Sequence, residues 1–127
     1  RIALAAAGEL RRTGTDARVA AVLRQRRAVA DQSGLSARQR LANLSGALEV
    51  SVGGDRLLER GRVVLVDDLM TTGASLVEAA RAVACAAGGT GGAAGGSPAY
   101  ARPGFAHRRA TAAVVASTFA SFEINRN

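Results

Sequence analysis

The sequence predicts an α/β domain, a mainly parallel sheet flanked by helices, and three observations carry that reading. A β-branched run, Val63-Val64-Leu65-Val66, leads through two acids and a Thr-Thr-Gly turn into an apolar-faced helix. Strand-like and helical segments are interspersed along the chain. Glycines fall where these segments should stop, at Gly14, Gly53-Gly54 and Gly88-Gly89.

Each element follows from its residues. Ile2 to Arg12 sets Ile2, Leu4 and Leu10 among alanines and reads as a helix closed by Gly14. The short apolar stretch Ala17 to Leu23 fits a buried strand. Arg24 to Leu35 is polar, basic and aperiodic, which predicts a loop. Ser36 and Gln39 have the spacing of a capping box, so a short helix should run to about Asn43. Ala47 to Val52 alternates loosely and suggests an edge strand ending in the Gly53-Gly54-Asp55 turn.

Arg62 to Val66 belongs in the middle of a parallel sheet. The helix after it, Ser75 to Ala87, gathers Leu76, Ala79, Ala80 and Val83 on one face. Residues 88–110 are rich in Gly, Ala and Pro and predict a flexible insertion. Thr111 to Ala116 is a final buried strand.

The 127 residues are enough for a single domain, and an apolar fraction of 48% is enough to fill its core. No apolar run approaches the length of a bilayer span, and no secretory signal is visible. The single cysteine, Cys85, has no second thiol to pair with, which favours a reducing, cytoplasmic setting. Its place in a helix reads as that of a small buried hydrophobe. The chain opens at Arg1, within an apolar-periodic segment that has no cap before it, and reads as a fragment lacking its upstream part.

The net charge is +7, and all 17 basic residues are arginines. Five of them (Arg24, Arg26, Arg27, Arg38 and Arg40) fall in one short stretch that contains no aromatic residue. Single-stranded nucleic acid needs aromatic platforms on which bases stack, so the surplus fits a polyphosphate ligand better. His107 sits beside Arg108 and Arg109 in the insertion and reads as surface decoration.

The chemistry concentrates between Asp67 and Ser75. Amides at a helix N-terminus have no partner within the helix, and the helix dipole adds partial positive charge there. An anion at that place gains about 0.3–2 kcal/mol from the dipole. Charge-assisted hydrogen bonds add about 1.5–3 kcal/mol each. Thr71, Thr72 and Ser75 supply hydroxyls, and Gly73 allows the backbone to approach a ligand closely. Asp67 and Asp68 stand at the carboxyl end of the strand, where open α/β sheets bind ligands. Either Asp-Asp or Thr-Thr-Gly alone would be ordinary capping or turn material. The whole ordered string before a helix is far more specific.

Val63 to Ser75 resembles the phosphoribosyl-pyrophosphate motif of type I phosphoribosyltransferases. Asp31-Gln32-Ser33-Gly34-Leu35-Ser36, with Arg40, Asn43 and Gly46, narrows the resemblance to the ComF (competence protein F-like) family. The closing Phe122 to Asn127 is similar to the end of actinobacterial members. The resemblance implies a type I phosphoribosyltransferase fold whose first strand and pyrophosphate loop are missing from this chain. It implies binding of phosphoribosyl pyrophosphate and Mg²⁺-dependent transfer of its phosphoribosyl group to an unknown acceptor, with inversion at the anomeric carbon. Asp67 and Asp68 would contact the ribose hydroxyls, which ligate Mg²⁺ together with pyrophosphate oxygens, so the metal is held through the substrate. Thr71, Thr72, Gly73, Ala74 and Ser75 would hold the 5′-phosphate. The Arg24 to Asn43 segment would be the mobile loop that closes over the reaction, with Arg24, Arg26, Arg27, Gln32 and Arg40 its candidate ligand contacts. The alternative from another class is a non-catalytic accessory of competence and DNA uptake, or a sensor of phosphoribosyl pyrophosphate.

Overall fold

The computed structural model describes residues 1–59, 61–87 and 110–117. The elements are α1 (Ile2–Arg12), β1 (Leu23–Gln25), α2 (Ala37–Leu44), β2 (Leu48–Val50), α3 (Gly54–Leu58), β3 (Val64–Met70), α4 (Ala74–Ala87) and β4 (Thr111–Ser117). The strands form two small sheets. β1 pairs antiparallel with β2, and β3 pairs parallel with β4. The chain is therefore mixed α/β, with a two-stranded parallel sheet as its central β–α–β unit.

α4 is the hub. It packs on β2, β3, α2 and α3. Its face contributes Ala79 and Val83 to a core shared with Val22, Leu58 and Leu65, flanked by Leu48, Val50, Val63, Leu76 and Ala80. One acid joins that face: Glu78 is 3% exposed. Its Oε2 accepts from Arg81 Nε at 2.7 Å, and its Oε1 accepts from Arg81 Nη2 at 2.8 Å and from the Leu48 amide at 3.0 Å. Arg81 Nη2 also donates to the Leu48 carbonyl at 2.8 Å, so the pair fastens α4 to β2. The Arg81 guanidinium is the chief cause that holds the Glu78 carboxyl down to about 2, against the opposing effect of burial.

Several boundaries match the sequence reading closely. α1 spans the residues expected of it. The capping box is formed: Ser36 Oγ accepts from the Gln39 amide while Gln39 Oε1 accepts from the Ser36 amide. Other expectations are corrected. The strand read at Ala17 to Leu23 lies instead at Leu23–Gln25, because β2 offers pairing partners only to those residues. Arg24 is thereby a strand residue rather than part of a loop. The Gly53-Gly54-Asp55 turn opens a short helix, α3. Gly54 is buried there, and a Cβ on it would lie 2.7 Å from Val50 Cγ1 and 3.0 Å from Val22 Cβ, so only glycine lets the helix seat. Cys85 is exposed rather than buried. The expected insertion at 88–110 lies, apart from Ala110, outside the described residues, as do His107 and the tail from Phe119.

Candidate functional site

β3 is longer than its apolar run. The ladder with β4 runs from Val64 opposite Thr111 to Met70 opposite Ser117, which carries Asp67 and Asp68 into the strand. Successive strand residues face opposite sides. Asp67 shares the side of buried Leu65 and is half-buried, whereas Asp68 is exposed with Val64 and Val66. Each carboxylate accepts from the next amide at 2.9 Å, Asp67 Oδ1 from Asp68 N and Asp68 Oδ1 from Leu69 N. Each carboxylate thus keeps a second oxygen for another partner.

Three residues separate β3 from α4. Gly73 turns the chain with φ +72°, a conformation that a side chain strains. Thr72 Oγ1 accepts from the Ala74 amide at 3.4 Å. The first turn of α4 contains no acid, so no carboxylate competes there for the helix-end amides. A cleft of ≈ 200 Å³ opens beside this turn, lined by Leu23, Leu48, Leu65, Val66, Asp67, Ser75, Leu76 and Ala79. One acid of the pair and the hydroxyl-bearing Ser75 in the first turn of α4 therefore line the same space, with an apolar floor beneath them. Asp68 is not among the residues lining it.

The arginine-rich segment divides into separate roles. Arg24 Nη2 pairs with Glu49 across the β1–β2 ladder at 2.8 Å. Arg27 Nη2 donates to the carbonyls of Asn43 at 2.7 Å and Ser45 at 2.8 Å, where α2 ends. The Asn43 side chain donates to the Ala30 carbonyl at 2.9 Å and accepts from the Ala30 amide at 3.3 Å. Arg26 is exposed, and Gln32 contributes a carbonyl that accepts from the Leu35 amide at 3.2 Å. Arg40 alone of this group reaches the β3–α4 loop, donating from Nη1 to Thr71 Oγ1 at 3.3 Å. The sequence placed Arg40 with the loop arginines; α2 is what carries it to Thr71.

Among the described residues, no group of three or more His, Cys, Asp and Glu side chains is placed to hold a metal ion. Asp67 and Asp68, on opposite sides of β3, do not converge on one cation. No described helix is long and apolar enough to cross a membrane. No family model, curated protein or solved structure matches the chain.

Proposed function

We propose that the chain binds phosphoribosyl pyrophosphate at the β3–α4 loop and, with Mg²⁺, transfers its phosphoribosyl group to an acceptor nucleophile. In this reading the β3–α4–β4 unit is part of a type I phosphoribosyltransferase fold of the ComF kind. The observation that carries it is the shared cleft. Asp67, in the middle of β3, and Ser75, in the first turn of α4, line one space beside the amide end of that helix. A sugar phosphate presents the complementary pattern, with hydroxyls for the carboxylate and an anion for the amides and hydroxyls.

The roles are those that the family resemblance implies. The 5′-phosphate lies against Thr71, Thr72, Gly73, Ala74 and Ser75. The ribose hydroxyls face Asp67, while Asp68, on the other side of β3, lies outside the cleft lining. The protein itself would not ligate Mg²⁺, which would come with the substrate and would supply charge neutralisation for the leaving group. The bond from the anomeric carbon to the pyrophosphate oxygen breaks, and its electron pair departs with pyrophosphate. The acceptor forms its bond from the opposite face and releases its proton to solvent.

Pyrophosphate release measures this directly. Incubation with phosphoribosyl pyrophosphate, Mg²⁺ and a panel of nitrogen nucleophiles should yield pyrophosphate in an acceptor-dependent manner. Saturable binding with no release in the presence of any acceptor would favour the sensor or accessory reading over the transferase.

A further inference from the structure

We infer that Arg40 is a fixed part of the phosphate cradle, delivered from α2 to the 5′-phosphate, rather than a lid residue directed at pyrophosphate. The inference rests on the reading of the β3–α4 loop as a phosphate site. It assigns to that site a charged ligand group from a different element.

Arg40 lies in the first turns of α2, whose N-terminus is fastened by the Ser36–Gln39 capping box. Its Nη1 donates to Thr71 Oγ1, 31 residues further along the chain, at 3.3 Å. Its Nε is buried and has no hydrogen-bond partner. The ion pairs among the described residues join Arg12 to Glu9, Arg18 to Asp16, Arg24 to Glu49 and Arg81 to Glu78. Arg40 belongs to none of them.

A guanidinium that reaches inward, has a long bond to a hydroxyl and leaves a buried N–H unsatisfied is costly to the folded protein. The cost is removed by an anion that accepts from two of its nitrogens at once. A phosphate monoester offers oxygens with the spacing for such a fork, and Arg binds them through two parallel N–H···O bonds. When phosphate occupies the loop, a small rotation of the guanidinium exchanges the Thr71 oxygen for phosphate oxygens and satisfies Nε. Thr71 belongs to the loop segment expected to hold the 5′-phosphate, which directs Arg40 to that group. Arg24 and Arg27, already engaged by Glu49 and by the end of α2, have no comparable demand for an anion.

The experiment titrates the chain and its Arg40→Ala and Arg40→Lys variants with inorganic phosphate, ribose 5-phosphate and phosphoribosyl pyrophosphate with Mg²⁺. Arg40→Ala should weaken all three by a similar factor, about 10- to 100-fold. Arg40→Lys keeps the charge and loses the fork, so it should recover part of that loss for each ligand. Arg40→Lys also preserves the stem, and far-ultraviolet circular dichroism of both variants establishes that α2 is intact. A loss confined to phosphoribosyl pyrophosphate would assign Arg40 to pyrophosphate and overturn the inference. Unchanged affinity for all three would overturn it as well. If phosphate and ribose 5-phosphate bind through Arg40 but phosphoribosyl pyrophosphate binds no tighter, the cradle stands and the transferase reading falls.

Discussion

Replacing Glu78 with alanine is expected to destabilise the fold by about 2–4 kcal/mol, a large effect for a single helix residue. The reason is the position of the carboxylate, 3% exposed and shared between Arg81 and the Leu48 amide. Its removal leaves the Leu48 N–H without its acceptor and withdraws the link that ties α4 to β2. Urea unfolding should show a lower midpoint with an unchanged slope, since the buried surface is nearly the same. The pH dependence follows from the same contacts. The folded carboxyl titrates at about 2, below its usual 4.5. Its stabilisation is complete above the unfolded value and is lost as pH falls through the folded one. The parent should therefore lose stability between about pH 4.5 and 2. Glu78→Gln should flatten that stretch, and an identical slope in both proteins would contradict the assignment.

The second large effect is on binding. Changing Asp67 and Asp68 together to asparagine should weaken phosphoribosyl pyrophosphate with Mg²⁺ by about 100-fold, since ribose hydroxyls would lose charged acceptors. The two acids should not contribute equally. Asp67 is half-buried and lines the cleft with Ser75, whereas Asp68 is exposed and absent from its lining. Asp67→Asn alone should account for most of the loss. The fold should persist, because each carboxylate has only a local bond to the next amide. Calorimetric titration of the single and double variants checks both the size and the asymmetry, and a double variant that binds like the parent would remove the acids from the site.

Local signals were legible where local forces decide the structure. The alanine-rich periodicity of α1 and the Ser36–Gln39 pair place helices well because a helix closes its hydrogen bonds within itself. The strand ends were harder, since pairing comes from elsewhere in the chain. β3 continues through Asp67-Asp68-Leu69-Met70 because β4 runs alongside as far as Ser117. β1 falls at Leu23–Gln25 because β2 is opposite. The string Asp67 to Ser75 was readable because its chemistry is contiguous. The contact of Arg40 with Thr71 was not, because 31 residues of tertiary packing separate them. Glu78 was also overlooked. A charged residue on an apolar helix face can be recognised as buried only when its partner, here three residues further on at Arg81, is read with it.

If the chain binds a sugar phosphate as proposed, the anion sits on the amides between β3 and α4. Amide-resolved ¹⁵N nuclear magnetic resonance during titration with ribose 5-phosphate measures that most directly. The expected result is a set of saturating shifts centred on Thr71, Thr72, Gly73, Ala74 and Ser75, with smaller ones at Asp67 and on α2 near Arg40, and none along α1. Saturating shifts confined to the exposed arginines of the 24–27 stretch, or no shifts at all, would contradict the account.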